Sequence, residues 1–419
     1  MPDGLRPVRR GSQAEPALIP ENTLPARVER SSAVDEYRLN ARLWLEKNIP
    51  EAWRPESESY KNPDFDEQRQ FERRLYAEAG LAGWTWPTEY GGQGLTIIEH
   101  LVGNEEIGRL APPESLNGIG KEMAGPILLA IGTSEQKRDF VPKILTMEHI
   151  WCQGFSETEA GSDLAAVHTV ARPSGGDWII DGSKIWTSMA DRADYCLLLA
   201  RTGEAEMKHA SLTLFAVPMK TLGVTARPIR QINDRSGFCE VFFDNVRVPA
   251  NAVIGEVNGG WTAASKVLQI ERAMNRMYRA SRFENELRHL VEACRRDEGL
   301  GRMFATERFQ QRLAGYFAEL ENLRRLVRAT VTRLAADEPI GATGSMIKLL
   351  WSEPHQRFLE AAQELLSYAA APLDPFIRRA IARFDDLYLR GRAEGIMAGA
   401  TAVQLDVIAS RILRLPKAV

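Results

Sequence analysis

The chain has 419 residues, more than one hydrophobic core usually covers, so two or three packed units are predicted. Its 53 basic side chains nearly balance its 56 acidic ones, which argues against a nucleic acid or an acidic membrane surface as a partner. No apolar run reaches the roughly 20 residues of a membrane helix, and the N-terminal residues lack the apolar centre of a signal peptide. We therefore expect a soluble cytoplasmic protein with no membrane insertion.

The pattern of apolar residues divides the chain into four segments. Residues 1–31 mix Pro, Arg, Glu and Ser without periodicity and are predicted to be a disordered arm. A helical domain is predicted over 32–148, starting from a helix cap at Ser32. Short apolar or alternating runs that end at Gly, Asp, Asn or Pro indicate a β-domain over 149–260. Helical spacing returns over 261–419, which is the predicted C-terminal helical bundle.

The apolar runs also predict the individual strands of the β-domain and the helices of the bundle. Strands of a compact, barrel-like β-domain are predicted at 177–180, 195–200, 211–217 and 238–243. Apolar residues from Phe309 to Leu334 recur every three or four positions, which predicts one long helix with a single apolar stripe. Further helices are predicted near 262–295, 342–370 and 385–413. Such helices pack most simply as a four-helix bundle, so the predicted fold class is α+β.

The residue types that often bind metals or form disulfides show no informative spacing. Four cysteines lie far apart and are predicted to be reduced thiols of the core: Cys152, Cys196, Cys239 and Cys294. The six histidines show no mutual spacing for a metal, so no metal site is predicted. No Gly-x-Gly-x-x-Gly motif follows a strand, which argues against a nicotinamide cofactor.

Several motifs occur in the order of a known family. Two of them bracket a short strand pair: WCQGFSETEAGSD at 151–163 and DGSKIWTS at 181–188. The others are GWTWPTEYGGQG at 83–94, GTSEQK at 132–137, FFDNVRVP at 242–249 with GGW at 259–261, IMAGATAVQ at 396–404 and IASRILRLP at 408–416. Together they resemble the FAD-dependent acyl-CoA dehydrogenase family over roughly residues 33–417.

The resemblance implies a set of FAD contacts. It places Phe155 and Ser156 against the isoalloxazine ring, and Trp186, Thr187 and Ser188 along the ring edge that bears N5. The alternative is that Trp186 is an aromatic residue of the β-domain core and that the serines belong to turns. Ser162 matches the position that contacts the CoA portion of the substrate, although a Gly-Ser-Asp sequence also occurs in ordinary turns.

Dehydrogenation at the α and β carbons of an acyl thioester needs a base for the α-proton. Many family members carry a glutamate at the position of Ala398, whose side chain cannot accept a proton. A second group carries the base in a Glu-Arg pair, which Glu271 and Arg272 match. The resemblance therefore implies Glu271 as base, Arg272 as a residue that shapes the pocket, and the backbone N–H of Ala398 as a donor to the thioester carbonyl. A Glu-Arg pair on a solvated helix face is the alternative.

Three segments depart from the family pattern: RRDEGLG at 295–301, SYAAAP at 367–372 and AGATA at 398–402. In homotetrameric relatives these segments reach the ADP half of a neighbouring subunit's FAD. The chain thus resembles an actinobacterial branch in which two related subunits form an α2β2 assembly and share each flavin. A homotetramer or such a heterotetramer is expected, with an electron-transferring flavoprotein as the oxidant.

Three functions remain compatible with the sequence. The first is an FAD-dependent acyl-CoA dehydrogenase that forms a trans-2-enoyl-CoA. A flavin monooxygenase on the same fold is the second, and the Glu271-Arg272 pair argues against it. The third is a non-catalytic subunit that completes the FAD site of a paralogous chain. The acyl group, whether linear, branched or steroid, does not follow from the sequence.

Overall fold

The computed structural model describes residues 32–54, 57, 59–262, 265 and 277–416. The predicted arm at 1–31 lies outside the described residues. The chain continues with five helices: α1 (Ser32–Asn48), α2 (Phe65–Ala77), α3 (Ile97–Leu110), α4 (Gly125–Ile131) and α5 (Ser134–Leu145). Thr96 and Thr133 begin α3 and α5 with capping boxes, in which the side chain at the cap and the side chain three residues later each bond the other's backbone.

The middle of the chain forms one eight-stranded sheet. Its strands are β1 (Trp151–Gly154), β2 (Val170–Ser174), β3 (Asp177–Ser188), β4 (Tyr195–Arg201), β5 (Leu212–Pro218), β6 (Val224–Ile229), β7 (Phe238–Pro249) and β8 (Val253–Ile254). The spatial order is β6-β7-β3-β2-β4-β5-β8, and β1 pairs with β4. Within the described residues no ladder joins β6 to β8, so the predicted barrel-like closure is wrong and the sheet is open. Short alternating runs do not distinguish an open sheet from a closed one, because closure depends on the pairing of distant edges.

Strand β4 explains how the sheet is held between two cores. Leu197 and Leu199 pack with helix residues such as Val141 and Ile144 in one cluster. Cys196 and Leu198, which alternate with them, belong to a second cluster on the other face. A strand that is covered on both faces is apolar throughout, which accounts for the unbroken apolar run in this part of the sequence.

The C-terminal part is a helical bundle. Its helices are α6 (Arg279–Arg296), α7 (Glu298–Phe304), α8 (Glu307–Ala335), α9 (Thr343–Leu366), α10 (Pro375–Gly391) and α11 (Thr401–Val407). The four long helices α6, α8, α9 and α10 share one apolar core, and the predicted stripe of α8 faces it. The helix predicted near 385–413 is interrupted, because α10 ends at Gly391 and turns occupy 392–400. The left-handed backbone of Ala398 and Gly399 is incompatible with a continuous helix.

Two further observations concern the whole described chain. All four cysteines are buried and unpaired, as predicted. Among the helices that the structure describes, none is long and apolar enough to cross a membrane.

Candidate functional site

The structure brings the two motifs around 155 and 186 into direct contact. The backbone N–H of Ile185 donates to the carbonyl oxygen of Ser156 at 2.9 Å. The Nζ of Lys184 donates to the carbonyl oxygen of Phe155 at 3.0 Å. The end of β1 and the middle of β3 therefore form one surface, although they lie about thirty residues apart in the chain.

A buried ion pair beneath this surface holds its two motifs together. Lys184 is 1% exposed, and its Nζ lies 2.7 Å from Oε1 of Glu157. Glu157 also accepts the backbone N–H groups of His168 at 2.6 Å and Thr169 at 2.9 Å, so its charge is well compensated. Burial lowers the pKa of Lys184 to about 8, against the opposing effect of Glu157. Despite its burial, the pKa of Glu157 is held below its usual value, chiefly by Lys184.

Trp186 stands at a β-bulge in β3. Lys184 pairs with Val241 of β7 and Thr187 pairs with Cys239, so β3 carries one more residue than its partner over this stretch. Trp186 has a φ of +59°, and its side chain is 57% exposed. The alternative that Trp186 is a core aromatic is therefore wrong. Its ring makes an edge contact with Phe238, with 6.2 Å between the ring centroids, and this contact holds the indole at the surface.

The other residues predicted to contact FAD surround this bulge in different environments. The Phe155 side chain is buried in the core, which leaves its backbone as the part nearest the surface. Ser156 is half-buried between the two motifs, and Ser188 ends β3 opposite Phe238. The Oγ1 of Thr187 is buried and has no hydrogen-bond partner in the described part of the chain. An outward aromatic beside an unpaired hydroxyl fits a planar, polar-edged cofactor such as a flavin.

Ser162 belongs to neither β1 nor β3. It is exposed, in the irregular segment that follows Phe155 and Ser156. This segment contains no strand, and a single 3-10 turn follows it at Leu164–Ala166. Its exposure leaves the hydroxyl accessible to a ligand at the surface.

The backbone at Ala398 is suited to hold an oxygen atom. Ala398 has a φ of +56° and Gly399 a φ of +88°. The φ of Gly399 is one that other residues rarely adopt, and a Cβ there would lie 2.0 Å from Nε2 of Gln404, so glycine is favoured at this position. The N–H of Ala398 donates no hydrogen bond to another described residue, whereas the turn around it is closed by a bond from Thr401 N to Gly395 O at 2.9 Å. The predicted backbone donor is thus available in this conformation.

Glu271 and Arg272, the predicted base and its neighbour, lie outside the described residues. The described chain resumes at Met277, and α6 begins at Arg279. The role of Glu271 stays a prediction.

A buried cluster of charged residues was not predicted from the sequence. His355 lies between Glu286 and Glu394, with its ring nitrogens 2.8 and 2.9 Å from their carboxylate oxygens. Glu114, from the loop after α3, pairs with Arg390 of α10 and lies 3.7 Å from Arg279. Two of these positions could have been recognised in the sequence, because charged residues at 279 and 286 lie on the same face of α6 as the buried Phe283.

Two of the segments that depart from the family pattern meet in space. Asp297 accepts the backbone N–H of Ala370 at 3.0 Å, and it also begins α7 by accepting the N–H of Leu300. A Cβ on Gly299 would lie 2.3 Å from the carbonyl oxygen of Tyr368. The segments 295–301 and 367–372 therefore form one surface of the bundle. Within the described residues no group of His, Cys, Asp and Glu could hold a metal ion.

Comparison with known proteins decides the family. Models of the acyl-CoA dehydrogenase N-terminal, middle and C-terminal domains match residues 33–148, 152–246 and 258–413. The acyl-CoA dehydrogenase IpdE1 of Mycobacterium tuberculosis (strain ATCC 25618 / H37Rv) is 35% identical over 391 residues, which are 92% of this chain and 98% of that protein. The chain belongs to the acyl-CoA dehydrogenase family. It is an oxidoreductase, and because members of this family are FAD-dependent flavoproteins, FAD is its cofactor.

Solved structures of similar proteins share the fold over nearly the whole chain. The steroid acyl-CoA dehydrogenase Tcur3481-Tcur3483 is 27% identical, with a TM-score of 0.78 over 93% of this chain and 99% of that one. The ChsE4-ChsE5 complex from Mycobacterium tuberculosis is 25% identical, with a TM-score of 0.78 over 94% of this chain and 100% of that one. The three-part arrangement of helices, open sheet and helical bundle is thus the acyl-CoA dehydrogenase fold.

Proposed function

We propose that this chain catalyses the α,β-dehydrogenation of an acyl-CoA thioester to the trans-2-enoyl-CoA. The observation that carries the proposal is the bulge in β3, which holds Trp186 outward next to Ile185, whose N–H bonds the carbonyl oxygen of Ser156. Phe155, Ser156, Trp186, Thr187 and Ser188 would hold the flavin ring. Bound FAD supplies the acceptor for the hydride that leaves the β-carbon.

The remaining chemistry belongs to the protein. Glu271 takes the proton from the α-carbon, and the electron pair of that bond becomes the new double bond as the β-hydride departs. Negative charge develops on the thioester oxygen as the proton leaves, and the N–H of Ala398, which donates no hydrogen bond to another described residue, would donate to it. Arg272 borders Glu271 in sequence and would shape the pocket, while Ser162 would contact the CoA portion.

Replacement of Glu271 tests this proposal. Glu271→Gln removes the carboxylate at almost constant volume, so FAD should be retained while flavin reduction by an acyl-CoA slows at least ~10²-fold. Glu256→Gln is the matched control, because Glu256 is exposed in the turn after β8. Stopped-flow absorbance of the flavin under anaerobic conditions measures both variants. Reduction at the wild-type rate in Glu271→Gln would remove Glu271 from its proposed role.

We further propose that the active assembly is an α2β2 heterotetramer with a paralogous subunit. The solved relatives named Tcur3481-Tcur3483 and ChsE4-ChsE5 are complexes of two chains. In this chain the joined surface of 295–301 and 367–372, together with 398–402, lacks the residues that the family uses on a neighbour's ADP moiety. A paralogous subunit would supply them. A homotetramer is the alternative, and in both assemblies an electron-transferring flavoprotein would reoxidise the flavin.

A further inference from the structure

The charged cluster of the bundle encloses a cavity that the proposed chemistry does not use. Its volume is about 30 Å³, and charged side chains make up most of its lining. It is bordered by Glu114 from the loop after α3, by α6, by His355 of α9 and by the end of α10. A space of this size and polarity accommodates an oxygen-bearing group about as large as a water molecule.

The cavity lies next to the proposed thioester site along the chain. Gly391, Glu394 and Met397 all line it, and Met397 directly precedes Ala398. The turn that presents the N–H of Ala398 therefore forms part of the cavity wall. An acyl group whose carbonyl oxygen is held at Ala398 would have this cavity within reach of its chain.

Most of the charges around the cavity are already paired. His355 bridges Glu286 and Glu394, and the ring of Phe283 stacks on it at 3.7 Å between centroids. These two carboxylates raise the pKa of His355 to about 9 although burial alone would lower it, so the imidazole is cationic at neutral pH. The side chain of Arg390 pairs with Glu114.

Arg279 faces Glu114 too, but it has a buried donor without an acceptor in the described chain. It is 5% exposed, its Nη1 is 3.7 Å from Glu114, which is beyond hydrogen-bond distance, and its Nε has no hydrogen-bond partner among the described residues. The Cζ of its guanidinium lies 4.8 Å from the centroid of the Trp351 ring, a cation–π contact that restrains the side chain. A buried donor without an acceptor destabilises the folded protein, so an acceptor is expected in the space beside it.

The charge balance of the lining points to the same kind of ligand. Arg279, Arg282, Arg390 and protonated His355 outnumber the carboxylates of Glu114, Glu286 and Glu394 by one. Arg282 donates one hydrogen bond to the carbonyl oxygen of Pro112 at 2.9 Å, and this bond holds the loop after α3 against the cavity. An additional acceptor oxygen, neutral or anionic, would complete the cluster.

We propose that this cavity binds an acceptor oxygen at the far end of the acyl group, with Arg279 as the donor that selects it. The substrate is then an acyl-CoA that ends in a carbonyl or carboxylate oxygen and not in a methyl group. This inference rests on the proposed dehydrogenation of an acyl-CoA. It assigns Arg279 as a residue that determines specificity.

Three CoA thioesters of matched chain length test the assignment, ending in a methyl group, a methyl ketone or a carboxylate. With the FAD-loaded enzyme, flavin reduction should show a kcat/KM at least about tenfold higher for one of the two oxygen-ended thioesters than for the methyl-ended one, the lower end for a hydrogen bond to a charged group. Whichever of the two oxygen-ended thioesters has the higher kcat/KM shows whether the cavity binds a neutral or an anionic oxygen. Equal or better use of the methyl-ended thioester would overturn the proposal without any variant.

Variants identify the donor. Arg279→Met should bring the ratio of kcat/KM between oxygen-ended and methyl-ended thioesters close to one, whereas Arg288→Met on the exposed side of α6 should leave the ratio unchanged. If Arg279→Met fails to fold, Arg279→Lys takes its place: it keeps the charge but loses the planar guanidinium over Trp351, so it should lower the ratio part of the way to one. An unchanged ratio in Arg279→Met or Arg279→Lys would remove Arg279 from this role.

Calorimetric titration with the same three thioesters separates this inference from the proposed function. Tighter binding of an oxygen-ended thioester without any flavin reduction would support the cavity assignment and refute dehydrogenation. Flavin reduction by all three thioesters without discrimination would refute the cavity assignment and leave dehydrogenation standing.

Discussion

At the scale of single residues, Trp186 is an aromatic side chain that the fold holds at the surface. A left-handed conformation is unfavourable for a bulky residue, and residues held in such conformations cluster at functional sites. The extra residue in β3 forces this conformation, and Phe238 supports the ring. The backbone at the bulge therefore determines where the indole lies, and burial of the ring does not.

Trp186→Ala should lower the FAD content of the purified protein and shift the absorption spectrum of the remaining bound flavin. The fold should survive, because the side chain contributes little to the core. Leu222→Ala is the control, since Leu222 is 93% exposed in the same sheet domain. Unchanged flavin content and spectrum in Trp186→Ala would show that the indole does not contact the cofactor.

His355 makes the stability of the bundle depend on pH. Its pKa is raised from 6.5 to about 9, so protonated His355 stabilises the folded state fully below pH 6.5 and this contribution is lost as pH rises through 9. The shift corresponds to roughly 3 kcal/mol. Between pH 6 and pH 9.5, the free energy of unfolding in urea should therefore fall more in wild type than in His355→Gln. Parallel losses in the two proteins would show that His355 is not the titrating group.

At the scale of elements, the pair Lys184–Glu157 joins β3 to the segment after β1. Burial makes a charged lysine costly unless its partner is present, and Glu157 is held in turn by two backbone N–H groups. The pair thereby aligns the two motifs on which the flavin contacts depend. Neither residue was singled out from the sequence.

Lys184→Met should destabilise the protein by about 3–5 kcal/mol, because it leaves the Glu157 carboxylate buried without its cation. FAD content should fall with it, since the strand end that carries Phe155 and Ser156 loses its tether. Lys220→Met, at an exposed position after β5, is the matched control. Urea unfolding monitored by tryptophan fluorescence measures the difference. Equal midpoints for the two variants would contradict the proposed alignment.

The elements also show what the sequence could and could not predict. Strands β3, β4, β5 and β7 and the long helix α8 follow from local periodicity, and the structure confirms them. β8 was not predicted because it has only two residues. The bulge was not predicted because one extra residue can be recognised only by comparison with a partner strand. The charged cluster combines Glu114 with residues of α6 and α9 and of the end of α10, so a local pattern reveals only its members on α6.

At the scale of the whole molecule, the exposed apolar residues are concentrated near the end of the described chain. Six of the large ones lie after residue 395: Ile396, Val403, Leu405, Ile412, Leu413 and Leu415. Exposed apolar side chains so close together along the chain favour coverage by another subunit. The altered segment 398–402 lies in the same stretch of sequence, which connects the apolar surface with the proposed sharing of FAD.

Expression alone and with a paralogous dehydrogenase subunit tests the assembly. Loss of even three hydrogen bonds of roughly 1 kcal/mol each would weaken FAD binding about a hundredfold, so the chain alone should purify with little FAD. Coexpression should give one flavin per heterodimer, measured by absorbance against protein mass. Stoichiometric, tightly bound FAD in a homo-oligomer of this chain would refute the heteromer and leave the dehydrogenase assignment standing.

The mass of the CoA thioester after turnover tests the central claim most directly. The FAD-loaded assembly is incubated without oxygen, with an artificial electron acceptor and an acyl-CoA that bleaches the flavin. Dehydrogenation predicts a thioester lighter by two hydrogen atoms, with its double bond between the α and β carbons, and predicts that Glu271→Gln yields at least ~10²-fold less of it per unit time. A product that gains an oxygen atom when air is admitted would indicate a monooxygenase. An unchanged thioester despite bound FAD would contradict a catalytic role for this chain.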